Sequence, residues 1–182
     1  MEQTRKVFWE TLKLFKDINL LQHLLLIGSW AEYIYEFAYY KDYNANLKTL
    51  DIDFLIKNIN RPSESINISK ILADNGYEMD VDYLTGVAKF YKDNILELEF
   101  LVSEKGRGQT EPYLIKSLGI RAEGLRHMEM LINNSITVAV NDYELAVQVP
   151  LPQAYLLHKM VISDKRTGLK QKKRFELGIK FT

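Results

Sequence analysis

Two aspartates one residue apart, Asp51 and Asp53, open the apolar run Asp51-Ile52-Asp53-Phe54-Leu55-Ile56. The run is typical of a β-strand, in which alternate side chains point to the same face, so both carboxylates should share one face. Aspartate is disfavoured in strands, and like charges on one face repel each other. A divalent cation would compensate for both effects. The alternative is a pair of exposed carboxylates on the wet face of an edge strand.

A second acidic strand is predicted from Ile95 to Val102, where Glu97 and Glu99 alternate with apolar residues. By the same rule the two glutamates share a face, and either could supply a third carboxylate. Carboxylates from two neighbouring strands would form an all-oxygen cluster, which suits a hard cation such as Mg²⁺.

A glycine and a serine, Gly28 and Ser29, follow the apolar run 24–27 and precede a segment with helical periodicity. Glycine lets backbone N–H groups approach a phosphate at a helix N-terminus, where the helix dipole favours negative charge. Ser29 could donate its hydroxyl to a phosphate oxygen, or it could only cap the helix. With the carboxylates downstream, this turn indicates a site for a metal-bound nucleoside triphosphate (NTP).

A basic loop with two glycines, Glu104-Lys105-Gly106-Arg107-Gly108, follows the second acidic strand. Such a loop can wrap a triphosphate, and the guanidinium of Arg107 offers a bidentate fork to phosphate oxygens. The alternative is a hairpin connection with no ligand.

These motifs occur in an order and spacing that resemble a known superfamily. Gly28-Ser29, Asp51-x-Asp53 and an acidic residue in a later apolar strand resemble the signature of polymerase-beta-type nucleotidyltransferases. Glu99-Phe100-Leu101 with Gly106-Arg107-Gly108, and Pro150-Leu151-Pro152 with Leu157-His158-Lys159, resemble a bacterial nucleotidyltransferase-like branch. That branch is similar to the abortive-infection toxin nucleotidyltransferases, and the resemblance extends roughly from Leu24 to Arg174.

The resemblance implies metal-dependent transfer of a nucleoside monophosphate from an NTP to an acceptor hydroxyl, with release of pyrophosphate. Asp51, Asp53 and a third acid would hold two Mg²⁺ ions. Glu99 is preferred to Glu97 as the third ligand because its Glu-Phe-Leu context matches the family. Four further residues are expected to contact the triphosphate: Gly28, Ser29, Lys159 and Arg107.

The sequence does not identify the acceptor. Three kinds are compatible with it: the 3′ end of an RNA such as tRNA, a protein, or a small molecule. The formal net charge of the chain is zero, but lysine and arginine are concentrated after His158. This basic end could bind a polyanion, or it could be a solvated helix face. The competing function is a catalytically inactive module of the same fold that binds a nucleotide or a partner protein, such as an antitoxin.

The bulk composition is that of a globular chain, with 182 residues of which 47% are hydrophobic and 12% aromatic. The chain has no cysteine, which excludes disulfides, thiolate metal sites and cysteine nucleophiles. No apolar run approaches the roughly 20 residues of a membrane span. The N-terminus has no signal-peptide pattern, so a cytoplasmic protein is expected.

The predicted elements are those of an α/β (α+β) chain with a nucleotidyltransferase-type mixed β-sheet flanked by helices. Residues 1–149 should form the core, and residues 150–182 a C-terminal helical segment packed on it. The resembled family usually continues with a lysine–aspartate pair and one or two further helices. Here Lys173 is followed by Arg174 and the chain soon ends, so this segment is expected to be truncated. The predicted helices and strands are the following: helices 4–19 (capped by Thr4), 29–40, 63–75, 125–132 and 153–163, and strands 24–27, 77–81, 87–91, 135–140 and 144–149.

Overall fold

The computed structural model describes residues 2–38, 45, 49–106 and 111–162. Its helices are α1 (Glu2–Asp17), α2 (Gly28–Ala38), α3 (Ile68–Asp74), α4 (Met128–Asn133) and α5 (152–162), with short 3₁₀ turns at Leu21–His23 and Asn141–Tyr143. Its strands are β1 (Leu24–Ile27), β2 (Asp51–Ile56), β3 (Glu78–Val81), β4 (Ala88–Lys92), β5 (Leu96–Ser103), β6 (Tyr113–Ile115), β7 (Ile120–Leu125), β8 (Ser135–Val140) and β9 (Leu145–Pro150).

Seven of these strands form one mixed sheet, whose main path runs β1-β2-β5-β4-β3. Strand β2 runs parallel to β5 and antiparallel to β1. The first half of β5 pairs with β4, while its second half pairs in parallel with β7, which carries β6 at its other edge. The predicted class, a mixed sheet flanked by helices, is confirmed. The remaining two strands, β8 and β9, form a separate antiparallel hairpin, as the sequence predicted.

An aromatic core fills one face of the sheet beneath β2 and β5. The ring of Phe15 in α1 lies 5.2 Å from that of Phe54 in β2 and 6.0 Å from that of Phe100 in β5, measured between centroids. Trp30 of α2 stacks on Phe8 of α1 at 4.3 Å. Because alternate strand residues point to opposite faces, this packing turns Asp51 and Asp53 and their neighbours on β5 toward the other face.

That other face carries a smaller apolar cluster next to the acidic residues. Leu55 and Leu101, on the same face as the carboxylates, pack with Met128 and Leu131 of α4. Ala154 of α5 packs against the same cluster. Helix α5 therefore contacts the sheet on the side where the carboxylates lie. The division into a core of residues 1–149 and a helical segment of residues 150–182 stays a prediction, and residues beyond 162 lie outside the described part of the chain.

Three local predictions were wrong in detail. Helix α1 already includes Glu2, so Thr4 is a buried residue within the helix rather than its N-cap. Helix α3 begins only after Asn67, whose side-chain oxygen accepts a hydrogen bond from the backbone N–H of Lys70 (3.0 Å) and so caps the helix. The predicted helix from Leu125 starts at Met128, because Leu125 is the last residue of β7 and its backbone carbonyl accepts a hydrogen bond from Glu104.

No helix in the ranges given above is both long enough and apolar enough to cross a membrane.

The packing of α1 against the two acidic strands gives a first testable prediction. We expect Phe15→Ala to lower the free energy of unfolding by about 3–5 kcal/mol, because it removes a buried ring that touches both β2 and β5. Urea denaturation of this variant and of Asp17→Ala, at an exposed position in the same helix, measures the effect. The control should change stability by no more than about 0.5 kcal/mol. A loss below about 1 kcal/mol for Phe15→Ala would contradict this packing.

Candidate functional site

Four carboxylates lie on neighbouring positions of β2 and β5, and we call them the acidic face: Asp51, Asp53, Glu97 and Glu99. The parallel register places Asp51 opposite Glu97 and Asp53 opposite Glu99. Residues directly opposite each other on paired strands point to the same face and lie close together. The structure thus brings both predicted aspartates and both candidate glutamates onto one face of the sheet.

The Gly28 turn lies directly against Asp53. Strand β1 ends at Ile27, which pairs with Asp53, and α2 begins at the next residue. A Cβ atom added at Gly28 would lie 2.3 Å from Oδ2 of Asp53, and Gly28 has a left-handed backbone with φ of +68°. Both facts require glycine here. The predicted phosphate-binding turn and one of the predicted metal ligands are therefore in contact.

Ser29 connects the start of α2 to the start of β2. Its Oγ lies 2.6 Å from Oγ1 of Thr49, two residues before Asp51, and either hydroxyl can donate. Since α2 begins at Gly28, Ser29 lies within the first turn rather than at the N-cap. Sequence reasoning missed Thr49, because nothing in the residues around it marks a threonine that meets Ser29.

Lys159 of α5 lies over the beginning of α2. Its Nζ is 3.7 Å from Oε1 of Glu32, which follows Gly28 by about one helical turn. The same Glu32 oxygen accepts a hydrogen bond of 2.6 Å from the hydroxyl of Tyr155, and the Nζ of Lys159 lies 4.9 Å from the centre of the Tyr155 ring. The Lys159 side chain is 48% exposed. Lys159 is thus near the Gly28 turn, and its ammonium group pairs with Glu32.

A lysine that sequence reasoning missed, Lys89 of β4, contacts the acidic face. Its Nζ lies 2.7 Å from Oε1 of Glu97 and also contacts Oε1 of Glu99. The antiparallel register puts Lys89 opposite Glu99 and Tyr91 opposite Glu97, so all four side chains lie on one face. The sequence signal that could have revealed it is the short turn that connects the predicted strands 87–91 and 95–102. Counting outward from that turn along both strands places Lys89 across from the glutamates.

The three paired groups shift one another's protonation. Burial would lower the pKa of Lys89, but its bonds to both glutamates outweigh burial and raise it. Burial would raise the pKa of Glu97, but the hydrogen bond and charge of Lys89 outweigh it and hold this pKa below its ordinary value. Burial, together with the neighbouring Glu97 charge, raises the pKa of Glu99 despite the opposing effect of Lys89. The charged form is therefore favoured at Glu97 and disfavoured at Glu99, although Lys89 contacts both carboxylates.

The acidic face fits a metal ion in its donor chemistry and only in part in its arrangement. Carboxylate oxygens suit Mg²⁺, and Gly28 leaves space for the carboxylate of Asp53 at the helix start. However, within residues 2–38, 45, 49–106 and 111–162, no group of three His, Cys, Asp or Glu side chains is gathered so that it could hold a metal ion. Glu97 and Glu99 contact Lys89 instead. The part of the predicted set that fits is the pair Asp51 and Asp53.

Two other predicted features fall outside the described residues. Arg107 lies in the unassigned stretch 107–110, directly after Gly106. The basic residues that follow position 162 also lie outside the described residues. Their roles stay predictions.

An open pocket of about 540 Å³ lies beside Lys89, on the side of the sheet that carries the acidic face. Lys89 and Tyr91 form one wall, and Glu123 and Gly124 of β7 contribute to another. Asp80, Asp82 and Glu111 also line it, so most of its charged lining residues are acidic. The pocket provides room for a second molecule next to Lys89, which in turn contacts Glu97 and Glu99.

The comparison with protein families gives one match, to a model described as nucleotidyltransferase, over residues 8–176. The chain belongs to the nucleotidyltransferase family. The matched range includes the Gly28 turn, the acidic face, Lys89 and Lys159. Neither the search of curated proteins nor the search of solved structures returned a match. Members of such families generally use an NTP and divalent metal ions, which agrees with the donor chemistry of this nucleotidyltransferase.

The contact between Gly28 and Asp53 can be tested through stability. Gly28→Ala should lower the free energy of unfolding more than Gly76→Ala does. Both glycines have a left-handed backbone, but an added Cβ at Gly76 meets nothing within 4 Å. Each variant should lose about 1–3 kcal/mol from backbone strain, and only Gly28→Ala adds the collision with Asp53. Urea denaturation measures both losses.

A double variant isolates the collision from the strain. In an Asp53→Ala background the extra loss at Gly28 should disappear, since the carboxylate is gone. Equal losses for Gly28→Ala and Gly76→Ala in the parent chain would show that the Asp53 carboxylate is not held against the turn.

Proposed function

We propose that this nucleotidyltransferase transfers a nucleoside monophosphate from an NTP to an acceptor hydroxyl at the junction of the Gly28 turn and the acidic face. The observation that carries the proposal is the carboxylate of Asp53 lying against Gly28, where a Cβ would be 2.3 Å from Oδ2. A phosphate bound at the N-terminus of α2 would meet backbone N–H groups and the positive end of the helix dipole. It would therefore lie beside a carboxylate that can share a cation with it.

Asp51 and Asp53 are the residues that would hold Mg²⁺. Asp51 is exposed, while Asp53 is partly buried against the turn, so one ligand faces solvent and the other faces the helix start. When bound, the metal would neutralise part of the triphosphate charge and activate the attacking hydroxyl. The role of Glu99, or of Glu97 in its place, as a third ligand stays a prediction. It requires that Lys89 release the oxygen that it now contacts.

The triphosphate would be bound by groups around the first turn of α2. The hydroxyl of Ser29, now shared with Thr49, can turn to a phosphate oxygen. Lys159 is half exposed and its ion pair with Glu32 is long, at 3.7 Å. Exposed ion pairs contribute only about 0–1 kcal/mol, so the ammonium can move to a phosphate at little cost. Arg107 would add a second cation from the loop after β5.

The acceptor would approach from the pocket beside Lys89. Its hydroxyl oxygen would attack the α-phosphorus and give up its proton to water or to a carboxylate of the acidic face. A new P–O bond forms, and the bond between the α-phosphorus and the α–β bridging oxygen breaks as pyrophosphate leaves. The acidic lining of the pocket disfavours a polyanion at this point. An RNA acceptor, which stays one of the predicted alternatives, would have to gain its attraction from the basic residues after position 162.

One observation favours the competing function, an inactive module that binds a nucleotide or a partner such as an antitoxin. Lys89 pairs with both glutamates that could complete a three-carboxylate metal site. If Lys89 never yields and two aspartates do not suffice, the chain would bind an NTP without transferring it. Transfer and binding must therefore be measured separately.

The transfer reaction is tested with each α-labelled NTP, Mg²⁺, and a cell extract divided into RNA, protein and small molecules. We expect label to enter one fraction and Asp53→Asn to reduce its rate roughly 100-fold or more, because a charge that stabilises the transition state is lost. Asp74→Asn, at an exposed position at the end of α3, is the matched control and should retain the parent rate. The fraction that takes the label identifies the class of acceptor.

Nucleotide binding is tested by thermal unfolding with Mg²⁺ and each NTP. At about 100 times the dissociation constant a bound ligand stabilises the folded chain by about 2.7 kcal/mol, and Asp53→Asn should lose most of this gain. Stabilisation without label transfer to any fraction would favour the inactive module. No stabilisation by any nucleotide, and no transfer, would contradict both functions.

A further inference from the structure

The ammonium group of Lys89 lies where the acidic face would otherwise need a cation. Its Nζ contacts one carboxylate oxygen of Glu97 and one of Glu99, two residues on the same strand. These contacts are partly shielded from water, because the Glu97 and Glu99 side chains are only 21% and 24% exposed. Partly buried charges are screened less by salt than exposed ones. The Lys89 side chain itself is 41% exposed, so water reaches the ammonium group, but the pairing is screened less than that of two fully exposed charges.

Backbone pairing holds Lys89 in this position. It lies directly opposite Glu99 on β4, and its neighbour Tyr91 lies opposite Glu97, with the Tyr91 hydroxyl 3.5 Å from Oε1 of Glu97. The Cα of Lys89 cannot leave without separating β4 from β5. A metal ion bound to Glu97 and Glu99 would therefore lie close to the positive charge of Lys89, and the two cations would repel each other.

The two aspartates are placed differently. In the part of the chain that the structure describes, no lysine or arginine forms an ion pair with Asp51, which is exposed. Asp53 lies against the Gly28 turn, one strand further from β4 than Glu99. The acidic face thus divides into a glutamate half that carries an internal cation and an aspartate half next to the helix start.

We propose that Lys89 is a resident cation that takes the place of a second metal ion, so that this site binds one divalent ion, on Asp51 and Asp53. The proposal rests on the proposed function, since it presumes a metal at the aspartates. It makes Lys89 a positioning residue for Glu97 and Glu99, and it differs from the two-ion arrangement that the resemblance implied. Because Lys89 also lines the open pocket, the acceptor would meet an ammonium group where a second ion would otherwise face it.

Counting bound Mn²⁺ tests this inference without any need for activity. The free Mn²⁺ signal in electron paramagnetic resonance, followed during titration of the full chain, gives the number of ions bound. We expect one ion per parent chain and two per Lys89→Met chain. Asp53→Asn should lose the ion of the parent.

Lys92→Met is the matched control. Lys92 lies on the same strand, but its Nζ lies 3.9 Å from Oε2 of Glu10 and 5.1 Å from the centre of the Tyr77 ring, on the opposite face of the sheet. The Lys92→Met substitution removes the same charge from β4 and should leave one bound Mn²⁺ ion per chain. Lys89→Gln serves as a second variant if Lys89→Met does not fold, with circular dichroism as the check.

The possible counts separate this inference from the function on which it rests. Two ions on the parent chain, or one ion on a folded Lys89 variant, would overturn the inference while leaving a metal-dependent transferase intact. No ion on the parent, or one that Asp53→Asn does not affect, would overturn the metal site itself and the inference with it.

Discussion

The parallel pairing of β2 with β5 is the constraint on which the rest of this site depends. It places two aspartates directly opposite two glutamates, an arrangement that like-charge repulsion disfavours by an energy of the order of 1 kcal/mol per pair. The aromatic residues on the reverse face hold the strands together against this repulsion. Burying a single phenylalanine contributes about 1.5–3 kcal/mol, and Phe54 and Phe100 are both buried beneath the acidic face.

The fold compensates for this concentration of charge in two different ways. On one side, strand β4, which pairs directly with β5, places Lys89 in contact with both glutamates. On the other side, no lysine or arginine of the described residues forms an ion pair with Asp51. Asp53 lies against the Gly28 turn, where the missing side chain leaves space for its carboxylate. The first device neutralises charge internally. The second places the Asp53 carboxylate at the start of α2, where the proposed metal-bound phosphate would meet it.

The local sequence pattern was enough to predict those features that depend on residues close to one another in the chain. The alternation in Asp51-Ile52-Asp53-Phe54 indicated which side chains share a face, and the apolar run before Gly28 indicated a strand that ends in a turn. The order of these motifs was enough for the resemblance to nucleotidyltransferases, which the family match supports. The general fold class followed from the same elements.

Features set by contacts between distant segments were not predicted. The pairing of Lys159 and Tyr155 with Glu32 joins residues more than 120 positions apart. Lys89 is a different case: it lies only 8 and 10 residues from Glu97 and Glu99, and it was missed because the register of the β4–β5 hairpin was not worked out from the sequence. Strand β6 has only three residues, and the short alternation Ile120-Arg121-Ala122-Glu123 in β7 was overlooked. Periodicity reports which face a residue occupies on its own element, and it carries no information about which element comes to lie beside it.

Crystals grown with Mn²⁺ and a non-hydrolysable NTP analogue, measured at the manganese absorption edge, test the central claim most directly. The account predicts anomalous density between Asp51 and Asp53 and the triphosphate, with the phosphates at the N-terminus of α2. Manganese or triphosphate bound away from the Gly28 turn, with Asp51 and Asp53 contacting neither, would contradict it.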